Sequence, residues 1–426
     1  MSRSSLPNGL EVHATELPAV HDATVIFAVR AGSRYEPPAT NGISHVLEHM
    51  MFRGAAAYPS PRELNLAVEE LGGTLDAATH VDFTTYELTL PGETFFEGVA
   101  RFGRILEAPL LLDLALEKKI LREELLEDLD EDGRDIDIDN LSRRLLYGSH
   151  GLGHTITGTL DGIEKLTEAD LRAYLDAHYV GRNAVVAAAG PFDPAAFHAL
   201  VHGRFAFLRP GDRTHAIAPA SGYEDARDRY AFVHDPGSQS DVRVSFPAFG
   251  ESHPDLVALD LLGRVLDDGM GSRLPHRLRD QLGLVYDAFA SIDPYEDVGV
   301  FDLGGSVAHA KVSELVRELV GLTDALRSVP VPADELERVR RRYLWDLDRM
   351  LDDAHSMASF HAMRTMLGSP HELEDLRRIA TNVTADELVR VAKDVFRPSR
   401  ARVAVVGGMS DRASDKLRSL VADLAK

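Results

Sequence analysis

The chain contains no cysteine in its 426 residues. Disulfides and thiolate metal sites are therefore excluded, and any bound metal has to be held by histidine and carboxylate. Basic residues are scarce beside acidic ones: 46 Lys and Arg stand against 68 Asp and Glu, a formal charge of −22. A chain with no cationic surplus has little to displace counterions from a phosphate backbone, so nucleic acid is not an expected partner. No apolar run approaches the roughly 18 residues of a membrane span, so none is expected. The opening stretch MSRSSLPNGLEVH lacks the apolar core, roughly 7–15 residues long, of a secretory signal, and the expected location is cytoplasmic. At 44% hydrophobic and 27% charged, the sequence reads as globular and too long for one ordinary core, so two to three domains are expected.

Against these absences stands one dense stretch, GISHVLEHMMFRG from Gly42 to Gly54. On a helix, His45 and His49 fall about 40° apart on one face, with Glu48 about 60° from His45. Two imidazoles at i and i+4 can share one metal ion. A carboxylate between them can take a proton from water activated there.

The surrounding pattern predicts a mixture of strands and helices. Leu10, Val12 and Ala14 alternate with polar residues after an Asn8-Gly9 turn. The nearly continuous apolar run Ala23–Ala31 predicts a largely buried strand. Strand chemistry recurs at Thr74–Thr79, Phe83–Leu90 and Ala184–Gly190. Helices are expected at Glu63–Leu71, Phe95–Leu106, Leu141–Tyr147, Glu168–His178 and, rich in carboxylates, Leu112–Asp130. Pro210, Gly211, Pro219 and Gly222 mark residues 211–224 as a linker. After it the pattern restarts: Val25, Phe27 and Val29 correspond to Val242, Val244 and Phe246, an offset of 217. A repeat this long is a domain duplication, giving domains at 1–210 and 225–426. At the same offset, His45, Glu48 and His49 meet Leu262, Val265 and Leu266, and Glu124 meets Arg341. The second copy builds the same helix from apolar residues, so packing does not explain the two histidines.

A zinc site for hydrolysis commonly takes three protein ligands and leaves a fourth position open. The best third candidate is Glu124 on the 112–130 helix. Glu117 lies seven residues earlier, two turns away on the same face, where it would orient a ligand. Glu123 competes with Glu124, but its side chain points about 100° away, so only one of the two can face the site.

These residues, with LPNGLEV near the start, AGSRYEPPATNGISHVLEHMMFRG, GGTLDAATHVDFTTYEL and the spacing from Glu117 to Glu124, resemble the inverzincin metallopeptidases of the pitrilysin and mitochondrial-processing-peptidase family over the whole chain. The resemblance implies an α+β fold of two duplicated domains, each a mainly antiparallel sheet with helices packed on it, together half of a clamshell. It implies one Zn2+ per chain on His45, His49 and Glu124, with Glu48 as general base and Glu117 as supporting carboxylate. The Arg-x6-Tyr spacing of Arg279 and Tyr286 matches the pair that active members use to bind substrate backbone and the carbonyl oxygen under attack. The sequence departs from the family at Asp76, where Asn is usual and contacts substrate main chain. A carboxylate there accepts but cannot donate, which would favour a basic side chain or an amino end. His80, nearby, reads as a loop histidine.

The expected activity is a zinc-dependent endopeptidase or oligopeptidase acting on peptides or unfolded polypeptides in a closed chamber. Because both half-sites lie in one chain, a homodimer is expected, with a heterodimer with a homologue as the variant. A dedicated processing or leader-peptide peptidase, and a non-catalytic scaffold, are the rival readings.

Overall fold

A computed structural model describes residues 1–215 and 228–424. Residues 216–224 of the expected linker lie outside the described residues. Two compact units are present. The first comprises the described residues of Met1–Leu125, His154–Ile217 and Asp348–Ser369, and the second those of Leu126–Gly153, Ala218–Leu347 and Pro370–Lys426.

The first unit holds six strands: β1 (Ser2–Ser5), β2 (Glu11–Glu16), β3 (Asp22–Val29), β4 (Thr74–Thr79), β5 (Thr84–Pro91) and β6 (Ala184–Gly190). Their order is β1-β2-β6-β3-β5-β4, antiparallel except for the β2–β6 pair. One face carries Val25, Phe27, Tyr86, Leu88 and Val186, packed against Val46 and Met50 of helix Ile43–Met51 and Val99 and Phe102 of helix Phe95–Glu107. Each buried side chain of this size contributes roughly 1.5–3 kcal/mol.

The opposite face explains the almost unbroken apolar runs. Ile26, Ala28, Val185, Ala187 and Ala189 are all 0% exposed, yet by strand alternation they point away from that helical layer. They are covered by helix Ala354–Leu367, which packs on β2, β3 and β6. Its Ala354, Ala358 and Ala362 are small, matching the alanines of β6. The cover is also polar at one edge: Thr15 Oγ1 lies 3.2 Å from His361 Nε2.

The second unit repeats the plan with β7 (Tyr230–His234), β8 (Ser240–Phe249), β9 (Ala288–Pro294), β10 (Val298–Val307) and β11 (Arg402–Gly407), in the order β7-β11-β8-β10-β9. Here only β7–β11 is parallel. Helix Ile138–Tyr147, from the first half of the sequence, packs on β8, β11 and β7. Its Leu141 meets Ala404 and Val406, and its Ser142 Oγ lies 2.7 Å from Ser245 Oγ.

The units therefore do not follow a single cut through the chain. Each half of the sequence lends the other a helix, because central strands that are apolar on both faces need a layer on each. The duplicated helix Leu256–Leu266 buries Leu262, Val265 and Leu266 completely. The apolar residues at the offset positions of His45, Glu48 and His49 are thus ordinary core.

Candidate metal centre

Helix Ile43–Met51 begins at Gly42, whose φ of 96° lies in the left-handed region. A Cβ there would also come within 2.8 Å of Gly158 Cα, so both conformation and space call for glycine. The exposed helix N–H groups are met by a side chain from outside the helix. Glu36, 4% exposed, accepts from Gly42 N at 2.7 Å, Ser44 N at 2.8 Å and Asn41 Nδ2 at 2.8 Å. Burial raises the pKa of Glu36, and the hydrogen bonds from Ser44, Gly42 and Asn41 counter that shift. The positive end of the helix dipole favours the same charge. Sequence reasoning missed Glu36; the RYEPPATNG loop that folds it back carries no local capping signal.

One turn in, His45 and His49 stand together, ring centroids 4.8 Å apart at 75°. Glu124, from helix Leu114–Glu127, reaches both: Oε1 is 3.4 Å from His45 Nε2 and Oε2 is 3.8 Å from His49 Nε2. Among the described residues these three make the one metal-competent group, with one ligand atom from each, all within 4.8 Å of one another. Two ligands of a tetrahedral ion held at about 2.1 Å lie about 3.4 Å apart, so this spacing suits zinc, and a two-nitrogen, one-oxygen set suits its borderline character. Glu123 is exposed on the neighbouring face, as the burial of Leu121 and Leu125 requires.

The surroundings fix the donors. Glu117, 5% exposed, places Oε1 3.0 Å from His49 Nδ1. A carboxylate there accepts a hydrogen bond from Nδ1–H, which leaves the Nε2 lone pair free. Burial, with the His49 charge as a second cause, pushes the His45 pKa down to about 4, so this imidazole is neutral at pH 7. Glu48 Oε2 accepts from Thr79 Oγ1 at 2.5 Å. Its pKa is raised by burial, partly offset by that hydrogen bond. Thr79 is a second residue the sequence did not flag.

The structure does not bring Asp76 into this group. Asp76 is paired across the sheet with Glu87, and strand alternation sets it on the opposite face from Thr79. It is exposed and adds its charge to that of Glu87 in raising the pKa of His355, whose Nε2 lies 2.7 Å from Glu87 Oε2. His80 lies just past β4, its ring centroid 4.6 Å from that of Phe83. Arg279 and Tyr286 belong to the second unit. Within it, the Arg279 guanidinium lies over the Tyr286 ring, 5.2 Å from its centroid, and Tyr286 is 82% exposed.

Comparison with known proteins gives a consistent picture. Residues 12–159 match the family model described as insulinase (peptidase family M16), and residues 165–343 match that described as the peptidase M16 inactive domain. An uncharacterized zinc protease of Streptomyces coelicolor is 26% identical over 99% of this chain and 92% of its own length. The beta subunit of mitochondrial-processing peptidase from Blastocladiella emersonii is 27% identical over 94% of this chain and 87% of its own. The crystal structure of a protease from Helicobacter pylori superposes with a TM-score of 0.88 at 23% identity, covering 95% of this chain and 99% of that one.

Proposed function

The chain belongs to peptidase family M16, and from that premise we propose that it is a zinc-dependent peptidase cleaving peptides or unfolded polypeptides at the His45–His49–Glu124 centre. The observation that carries this reading is the convergence of those three side chains beside Glu48. When bound, zinc supplies a Lewis acid that polarises a carbonyl oxygen and makes water easier to deprotonate.

The chain's own residues divide the remaining work. His45, His49 and Glu124 would hold the ion, and Glu117, beside His49 Nδ1, would fix the tautomer of His49. Glu48 takes the proton of the attacking water and later delivers it to the leaving amine nitrogen. Burial, which raises its pKa, favours the protonated form that the second of these steps requires. Arg279 and Tyr286 bind the oxygen on which charge develops. Among the described residues the second half, with Leu262, Val265 and Leu266 at the corresponding positions, contributes no ligand set. A scaffold that has lost its chemistry would not need the intact group found here.

Purified protein should hold close to one zinc per chain, and His49→Ala should lose it. Elemental analysis after growth with ample zinc, followed by titration of stripped protein, decides this. An absence of metal in the first and of uptake in the second would overturn the reading.

The same proposal takes the enzyme to be a cytoplasmic homodimer, because the zinc ligands and the Arg279–Tyr286 pair lie in one chain. Sedimentation should give a particle near twice 46.7 kDa. A monomer with full activity would contradict the dimer, whereas an inactive monomer activated by a homologous second protein would make it a heterodimer.

A further inference from the structure

Two successive departures from ordinary backbone precede the helix that carries Glu117 and Glu124. Among the described residues, Leu111 and Asp113 are the non-glycine positions with positive φ, at 54° and 58°. Leucine does not adopt this conformation without strain, and such strain persists only where surrounding contacts hold it, whereas aspartate enters it more readily. Here the contacts can be named. Leu111 is 3% exposed. Leu110 N donates to Gly54 O at 2.9 Å, and Ala56 N donates to Ala108 O at 2.9 Å. The exit of the His45–His49 helix is thus stitched to the entry of the Glu117–Glu124 helix. Asp113 O then accepts from Leu116 N at 2.8 Å and Glu117 N at 3.1 Å, starting that helix.

One side chain joins this entry to the metal group. Arg53 follows the helix of the histidines by two residues. Its Nη2 lies 3.3 Å from Asp113 Oδ2, and its Nη1 lies 3.4 Å from Glu117 Oε2. The Arg53 side chain is 18% exposed and that of Glu117 is 7%, so water screens this pair poorly. Among the described residues no other Lys or Arg pairs with Glu117. Asp113, Arg53, Glu117 and His49 Nδ1 are thus linked in series, the Arg53–Glu117 step being an ion pair and not a hydrogen bond.

We propose that Arg53 is a positioning residue of the metal centre. Through Glu117 it sets the tautomer and ring angle of His49, and through Asp113 it sets the register in which Glu124 faces the histidines. The proposal rests on the zinc-peptidase reading. Arg53 touches neither metal nor substrate; it acts by holding two helices whose ligands must meet within a few tenths of an ångström.

The test uses full-length protein stripped of metal. Arg53→Met keeps the length of the side chain and removes the charge; Arg53→Lys restores charge but not the two-armed fork. Zinc affinity is read by competition with a chromophoric chelator, cobalt(II) absorption reports ligand geometry, and melting of the stripped protein reports the fold. Arg53→Met should weaken zinc binding severalfold, less than the roughly 10–100-fold that losing a direct partner of a ligand, here Glu117, would cost. It should also alter the cobalt spectrum, and Arg53→Lys should recover part of both. Affinity within about twofold of the unmodified protein, with an unchanged cobalt spectrum, would overturn the proposal. If Arg53→Met does not fold, Asp113→Asn carries the test: its side chain is largely exposed, Asn tolerates positive φ, and a loss of severalfold in zinc affinity is expected. Unchanged affinity in that variant also overturns the proposal. Failure of unmodified protein to take up zinc would reject the zinc reading itself, whereas equal binding by unmodified and altered proteins would reject only the role of Arg53.

Discussion

Glu48→Gln is expected to retain zinc and the fold while losing at least about a hundredfold in peptide hydrolysis, the low end of what a positioned general base contributes. The substitution keeps size and shape. The Gln carbonyl can still accept from Thr79 Oγ1, which lies 2.5 Å from Glu48 Oε2 in the native chain. What disappears is the ability to take a proton. Burial is the first reason the Glu48 pKa is raised. Zinc content and melting temperature measured beside turnover separate chemistry from structure. Turnover within a few-fold of the native value would remove Glu48 from the role and turn attention to Glu117.

Tyr286→Phe is expected to lower turnover by about 10²–10³-fold, equivalent to about 2.7–4 kcal/mol, the effect of deleting one donor to a developing oxyanion. The structure sharpens the comparison with a purely structural role. The sequence alone allows Tyr286 to be a half-buried strand residue, with a modest stability cost when its hydroxyl goes. Instead it precedes β9, with 82% of its surface exposed. It has little packing to lose, so the melting temperature should not move. The Arg279 guanidinium over its ring leaves the hydroxyl as the changed group, since phenylalanine preserves the face that the cation meets. Near-native turnover would return Arg279 and Tyr286 to the surface and leave the zinc group without a partner for the oxyanion.

Much of the first unit could be read from spacing. Helix Ile43–Met51 lies where His45 and His49 require it, and β3 is buried as the run ATVIFAV implies. Seven-residue spacing puts Glu117 and Glu124 on one face, and Glu123, about 100° away, is exposed while Leu121 and Leu125 are buried. Other features were not legible, for physical reasons. Strand β1 is the polar sequence SRSS at a sheet edge, where one half-exposed ladder needs no apolar signal. Glu36 caps a helix from outside its first turn, so no fixed offset announces it. Asp76 and Thr79 differ in strand parity, which the sequence states, but only the contact of Thr79 with Glu48 reveals which parity faces the metal group. The 112–130 helix begins later than its apolar pattern suggests, at Leu114, because Leu111 and Asp113 hold left-handed backbone. The lent helices were the largest omission: Leu141 and Ala358 show which side of a helix is buried, but not which sheet receives it.

That loan also governs the order in which the chain can mature on a ribosome. Strands β2, β3, β5 and β6 have all emerged by Gly190, but the cover for Ile26, Ala28, Val185 and Ala187 arrives only with Ala354–Leu367. At about 5–20 residues per second, that interval leaves one face of the nascent sheet bare for roughly 10–35 s. Helix Ile138–Tyr147 must meanwhile wait for β8 and, last of all, β11. The amino-terminal half is therefore not a unit that finishes before the carboxy-terminal half begins. Its maturation depends on a late segment, and during synthesis it should be a client for chaperones that shield apolar surface.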